Sequence, residues 1–137
     1  MRRRGGATVA LILLVGLVAG GCGTGSKRTG RTVTFGTSGN FPAETIVGTY
    51  SRRGCIRDGR TLAQNARLYY KHSTGAPGPA DLYYYDLRFA FAHFRADGCA
   101  RSDLREALER GLTARQRRFL LHNVADNLAG AFHAALG

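Results

Sequence analysis

A short apolar run near the N-terminus limits how much of this chain is available to form a folded core. The run is Ala7–Ala19, 13 residues long, and it lies between the arginines at 2–4 and the small residues Gly20 and Gly21. Positive charge, a short apolar segment and small residues, in that order, are typical of a secretory signal peptide. A helix that crosses a bilayer needs about 18 or more apolar residues. We therefore expect residues 1–21 to be removed, which leaves 116 of the 137 residues for one domain; an uncleaved membrane anchor is the alternative.

The residues around the expected cleavage point carry a resemblance to a known class of exported proteins. Val18-Ala19-Gly20-Gly21-Cys22 resembles the lipobox of bacterial lipoproteins, although Ala19 stands where leucine is usual. The resemblance covers residues 1–25 only. It implies cleavage before Cys22 and attachment of diacylglycerol to its thiol, which would hold the protein at the extracytoplasmic face of the cell membrane. Two or more acyl chains make such an anchor firm, since each buried methylene contributes about 0.8 kcal/mol.

Assigning Cys22 to lipid leaves Cys55 and Cys99 as a pair. Outside the cell such a pair is expected to form a disulfide; two separate buried thiols are the alternative. In the chain-entropy model, a closed loop of about 45 residues contributes roughly 4 kcal/mol. Neither cysteine belongs to a CxxC motif or a Cys/His cluster, so no metal and no cofactor is expected.

The expected mature chain is basic, with 17 Lys and Arg against 9 Asp and Glu. Basic charge raises nucleic acid as a partner. An exported domain, however, meets anionic lipid headgroups and wall polymers first, so no nucleic-acid partner is expected. The local basic groupings are Arg52-Arg53 and Arg115-Arg117-Arg118; an ordinary solvated surface is the alternative interpretation of this charge.

Residues 22–49 are rich in Gly, Ser and Thr and poor in apolar side chains. Such a segment buries too little surface to offset its ordering entropy, and it is predicted to be a flexible tether. Within it, Thr32–Phe35 alternates polar and apolar residues, which is also typical of a short strand.

Residues 50–137 show helical periodicity and are predicted to form a helical domain. Capping boxes at Thr61/Gln64 and Thr113/Gln116 mark two helix starts. The segment 81–96 is apolar nearly all round and should be central, although Leu87–Phe91 also alternates like a strand. The prediction is mainly α: a small bundle of about four helices, stapled by one disulfide. The predicted helices cover about 61–72, 81–96, 103–110 and 113–135.

Two histidine–aspartate pairs are the candidates for acid–base chemistry. His93 and Asp97, and likewise His122 and Asp126, are four residues apart, so each pair could share a helix face. A carboxylate beside a histidine suits a general base, but such pairs are also common on helix surfaces. No phosphate loop, dinucleotide fingerprint, HExxH or GxSxG motif is present in the sequence.

A second local resemblance suggests a hydrolase as the alternative function. Cys99-Ala100-Arg101-Ser102-Asp103 resembles the start of the catalytic helix in secreted bacterial phospholipases A2, where a cysteine is followed closely by His-Asp. Here Ser102 stands in place of the histidine, and no calcium-loop pattern precedes it. The resemblance implies a degenerate, phospholipase-A2-like hydrolase that would use a His/Asp pair.

Clustered tyrosines and arginines are the candidates for recognition. Tyrosine offers a rigid ring with a polar tip and is enriched at interfaces; alternatively, these rings cover the rim of the core while their hydroxyls reach water. The expected function is a non-catalytic binding or accessory module of the cell envelope, whose partner is an anionic polymer or another envelope protein. The predicted binding surface comprises Tyr69, Tyr70, Tyr83, Tyr84, Arg115, Arg117 and Arg118.

Overall fold

A computed structural model describes residues 28–36 and 43–137. The leader, Cys22 and the start of the predicted tether lie outside the described residues. The mainly α prediction is confirmed. In chain order the elements are β1 (Thr32–Phe35), β2 (Glu44–Val47), α1 (Arg52–Ser73), α2 (Ala80–Ala96), α3 (Arg101–Gly111), α4 (Ala114–Asn123) and α5 (Asp126–Leu136).

Within these described ranges, no helix combines the length and the apolar character needed to cross a bilayer.

The core draws on every helix. The largest fully buried side chains come one from each helix, in chain order from α1 to α5, and their packing holds the bundle together. At about 25 cal/mol per Å² of apolar surface removed from water, such side chains are the main stabilising contribution. They are Leu62, Leu87, Leu108, Leu120 and Phe132.

The predicted disulfide is confirmed. Cys55 and Cys99 are bonded, with their Cα atoms 5.4 Å apart and a sequence separation of 44. Cys55 lies in the first turn of α1 rather than before the helix, and Cys99 lies in the turn between α2 and α3. The bond therefore ties the beginning of the longest helix to the middle of the bundle.

The predicted start of the first helix at Thr61 is wrong. α1 begins at Arg52, where the Ser51 hydroxyl caps the helix by accepting a hydrogen bond from the Gly54 amide at 2.9 Å. Thr61 lies inside the helix and donates its hydroxyl proton to the Arg57 carbonyl at 3.1 Å. The glycines of the first turns lower intrinsic helix propensity, so tertiary contacts decide the start of this helix.

The last predicted helix is divided in two. Its beginning is as predicted: the Thr113 amide donates to Gln116 Oε1 at 2.9 Å, and the Gln116 amide donates to Thr113 Oγ1 at 3.2 Å. α4 then ends at Asn123, because Val124 and Ala125 are extended before α5 begins. The apolar pattern of residues 113–135 continues through this break. For that reason the sequence predicts one helix where the structure has two.

Part of the predicted tether is ordered as a hairpin. β1 and β2 pair antiparallel, with Thr32 opposite Val47. Their inward side chains, Phe35 and Ile46, are buried against α2. The structure therefore differs from the tether prediction at these strands and agrees with the alternative of a short strand at Thr32–Phe35.

Candidate functional site

Two of the predicted binding tyrosines close the break between α4 and α5. The Tyr69 hydroxyl donates to the Asn123 carbonyl at 2.9 Å, and the Tyr84 hydroxyl accepts from the Ala125 amide at 3.0 Å. Their rings lie against each other, with centroids 5.0 Å apart, and both pack on the core. Burial raises the pKa of Tyr69, so its hydroxyl keeps its proton to donate. These two hydroxyls satisfy backbone groups that the interrupted helix leaves free.

Tyr83 also packs against another residue of the domain. Its ring stacks on His72, with centroids 4.0 Å apart and an interplanar angle of 5°. His72 Nδ1 in turn lies 2.9 Å from the Pro77 carbonyl oxygen. This stack holds the turn between α1 and α2.

Arg117 stabilises the connection between α3 and α4 through hydrogen bonds to backbone carbonyls. Its Nη1 donates to the Leu112 carbonyl at 2.6 Å and to the Glu109 carbonyl at 3.3 Å. Both carbonyls belong to the end of α3, where a cation is favourable because the helix dipole is negative there. Arg117 is therefore directed toward the fold rather than toward solvent.

The other three predicted residues come together in one groove. Tyr70 from the last turns of α1 faces Arg115 and Arg118 from α4 across an open depression of about 480 Å³. We call this depression the Tyr70 groove. It is lined by Tyr70, Thr74, Arg115, Arg118, Phe119, His122 and Asn123.

Helical spacing sets the basic side of the groove. Arg115, Arg118 and His122 follow one another at intervals of three and four residues, so they lie along one face of α4. Phe119 lies in the same face and meets the edge of Tyr70, with ring centroids 5.1 Å apart at 84°. The result is an aromatic floor beside a row of cationic side chains.

The groove is electropositive, and the guanidinium groups of its two arginines can donate hydrogen bonds to a ligand. No Asp or Glu is among the residues that line it. Within residues 28–36 and 43–137, the described ion pairs do not involve Arg115 or Arg118, and both side chains are exposed. Two guanidinium groups next to a phenol and an aromatic face can bind a phosphate or carboxylate group whose carrier stacks on the rings.

A carboxyl pair that sequence reasoning missed lies at the other end of the bundle. Asp58 in α1 contacts Asp97 at the end of α2, and Asp97 Oδ1 accepts from the Thr49 amide at 2.9 Å. Burial raises the pKa of Asp58 to about 6, and the hydrogen bond and negative charge of Asp97 contribute to this shift. The hydrogen bond from Asp58 in turn lowers the pKa of Asp97. Asp58 Oδ2 is buried without a donor among the described groups. Below about pH 6, a proton on Asp58 that is shared with Asp97 accounts for both observations.

A signal for this pair was present in the sequence. Asp58 lies one turn after Cys55, and Asp97 lies just before Cys99, so the predicted disulfide already implied that the two carboxyls approach each other. Asp97 therefore accepts a hydrogen bond from the Thr49 amide and contacts Asp58. It also interacts electrostatically with His93.

The remaining candidate residues do not assemble into one site. His122 is at the end of α4 and Asp126 begins α5, so they do not share a helix face as proposed from their spacing. Ser102 is exposed in the first turn of α3. Within the described part of the chain, no three His, Cys, Asp or Glu side chains are placed to hold a metal ion.

Compared with protein-family models, with curated proteins and with solved structures, the chain matches none of them.

Proposed function

We propose that this protein is an exported lipoprotein, anchored through Cys22 at the extracytoplasmic face of the cell membrane, whose helical domain binds an anionic polymer of the cell envelope. The Tyr70 groove carries the binding part of this proposal, because three of the seven predicted recognition residues line it together.

The anchoring part rests on the leader and its cysteine. A short apolar segment after three arginines, followed by small residues and Cys22, suits export and lipidation. The disulfide between Cys55 and Cys99 supports the same location, since such bonds persist in oxidising compartments and are rare in the cytosol.

The chemistry of the groove suggests phosphodiester groups as the part of the polymer that is bound. A guanidinium donates two parallel hydrogen bonds to phosphate oxygens, and Arg115 and Arg118 present two such groups one helical turn apart. Tyr70 and Phe119 offer an apolar surface for the glycerol or sugar units between the phosphates. A repeating anion would engage both arginines at once, which suits an open groove better than a small solute.

Labelling of the lipid tests the anchor. Cells that make the full chain are fed a palmitate analogue, and the protein is compared with its Cys22→Ala variant. We expect label on the wild type and none on the variant, together with release of the variant from membranes or retention of its leader. Equal labelling of both proteins would refute lipidation at Cys22.

Titration with poly(glycerol phosphate) tests the groove. The lipidated protein in detergent is titrated by calorimetry, and the double variant Arg115→Gln/Arg118→Gln is compared with Arg52→Gln/Arg53→Gln, which removes the same charge from α1. Loss of two charge-assisted contacts of about 1 kcal/mol each predicts binding weaker by about tenfold or more for the groove variant. Similar weakening in both variants would mean that net charge, and not the groove, binds the polymer. A parallel titration with polyglutamate shows whether phosphate is preferred to carboxylate.

A further inference from the structure

The first turns of α1 carry a second basic surface that the groove does not include. Four exposed arginines lie around Ile56, and together they border a shallow depression of about 610 Å³. The Ile56 side chain is 49% exposed, which is unusual for so large an apolar residue in the middle of a charged surface. We call this surface the α1 arginine patch. It consists of Arg52, Arg53, Ile56, Arg57 and Arg60.

The patch keeps most of its positive charge. Among the ion pairs that the structure describes, only Arg57 of this group has an acidic partner, Asp58, at 3.4 Å. The Arg57 side chain is nevertheless 74% exposed, so this contact holds it weakly. Arg52, Arg53 and Arg60 extend into solvent without a described acidic neighbour.

The patch lies next to the point where the chain coming from Cys22 enters the domain. Arg28, the first described residue, places its guanidinium 5.9 Å from the centre of the Tyr50 ring, two residues before α1 begins. Arg28 also donates to Asp103 at 3.1 Å, which fixes it at this end of the bundle. Five residues separate Cys22 from Arg28, and a chain of that length spans at most about 20 Å.

We infer that the α1 arginine patch docks the domain on anionic lipid headgroups of the membrane in which Cys22 is anchored. The inference rests on the proposed lipidation at Cys22. A short connection holds this end of the molecule close to the bilayer, and the patch presents unpaired guanidinium groups to headgroup phosphates. Ile56 supplies an apolar side chain that enters the boundary between headgroups and acyl chains. Each arginine near an anionic surface strengthens binding about fivefold, an effect that salt weakens.

Chemical footprinting of the intact lipidated protein tests this orientation. The protein is reconstituted in vesicles of phosphatidylcholine alone, or of phosphatidylcholine with phosphatidylglycerol, and arginines are modified with phenylglyoxal and counted by mass spectrometry. With phosphatidylglycerol we expect about fivefold slower modification of Arg52, Arg53 and Arg60. Arg115 and Arg118 of α4, which lie beside the last turns of α1, should react equally fast in both vesicles. High salt should remove the protection.

Two matched variants sharpen the test. Arg52→Gln/Arg53→Gln should reduce the protection that phosphatidylglycerol gives to Arg57 and Arg60 by about half or more. Arg115→Gln/Arg118→Gln removes the same charge from the groove and should leave that protection unchanged.

The outcomes separate this inference from the proposed function. Protein that stays on both kinds of vesicle while its α1 arginines react equally fast would overturn docking and leave the anchor intact. Protein that stays on neither kind of vesicle refutes the anchor, and docking with it. Protection of Arg115 and Arg118 instead of the patch would mean that the groove faces the membrane, which would also overturn the inference.

Discussion

At the scale of single residues, the pair formed by Asp58 and Asp97 is the least expected feature of the fold. Two carboxyls in contact cannot both be charged without strong repulsion, and one of them is largely removed from water. Below about pH 6 the pair retains one proton, and the Thr49 amide donates to the charged partner. The arrangement joins α1, the end of α2 and the segment after β2, next to the disulfide.

This pair makes stability depend on pH in a defined direction. Asp58 holds its proton in the folded state up to about pH 6, whereas its ordinary pKa is 3.8. Between these values the folded state binds more protons than the unfolded state, so stability falls as pH rises from about 4 to about 6. The lowered pKa of Asp97 has the opposite effect on stability. At pH values below this window, it makes the free energy of unfolding decrease as pH falls.

Asp58→Asn should therefore stabilise the protein at neutral pH. The amide imitates the protonated carboxyl at every pH, and we expect a gain of about 1–2 kcal/mol at pH 8 after allowance for solvent screening. The gain should vanish near pH 4, where the wild-type carboxyl is itself protonated. Urea denaturation at both pH values measures this difference. An equal change at the two pH values would contradict the shared proton.

The tyrosine hydroxyls at the α4–α5 break give a second prediction at this scale. Tyr84→Phe leaves the Ala125 amide without its described acceptor, so we expect a loss of about 1 kcal/mol in the free energy of unfolding. Tyr83→Phe is the matched control, since Tyr83 contributes a stacked ring and no described hydroxyl hydrogen bond; its effect should be within about 0.3 kcal/mol. Losses of equal size in both variants would contradict a specific contribution from the Tyr84 hydroxyl.

At the scale of elements, the contact between α1 and α3 depends on small residues. A Cβ placed on Gly59 would lie 2.8 Å from the Ala107 Cβ, and one placed on Gly111 would lie 2.6 Å from the Ala63 Cβ. The two helices approach each other through these four positions. Gly59 weakens α1 as an isolated helix but allows it to pack against α3. The predicted start was wrong because the Thr61/Gln64 capping pattern lies inside the helix.

Gly59→Val should be strongly destabilising, because its side chain would overlap Ala107 and force the helices apart. Overpacking of this kind typically costs about 1–3 kcal/mol. Gly130→Ala is the control in α5, where a Cβ would meet no atom within 4 Å. It should raise stability by about 0.5–1 kcal/mol through helix propensity. Thermal denaturation of both variants measures the contrast, and a neutral Gly59→Val would show that α3 does not pack closely on α1.

Two of the correctly predicted features have local signals. Side-chain capping at Thr113 and the apolar stripe of α2 depend on neighbours within a turn or two, and both predictions are confirmed. The break after Asn123 depends on tyrosines from two other helices, so no local pattern contains it. For the groove, the residue types were predicted, but only the packing decides that Tyr70 lines the groove while Tyr69 packs against the core.

At the scale of the whole molecule, α1 connects two basic surfaces with different surroundings. The arginine patch occupies its first turns, and the Tyr70 groove lies against its last turns. At 1.5 Å per residue, Arg52 and Tyr70 are about 27 Å apart along the helix axis. The two proposals therefore assign different partners to basic surfaces at opposite ends of α1.

The disulfide links the beginning of this long helix to the rest of the bundle. It joins the first turn of α1 to the α2–α3 turn, beside Asp58, Asp97 and the arginine patch. The double variant Cys55→Ala/Cys99→Ala removes a covalent link between two residues whose sequence separation is 44. We expect a loss of roughly 2–4 kcal/mol, seen as a fall in Tm of about 10–20 °C. Dithiothreitol should lower the Tm of the wild type by a similar amount and leave the variant unchanged. A double variant that melts like the wild type would show that packing alone fixes α1, and that the staple contributes nothing to the stability of the domain.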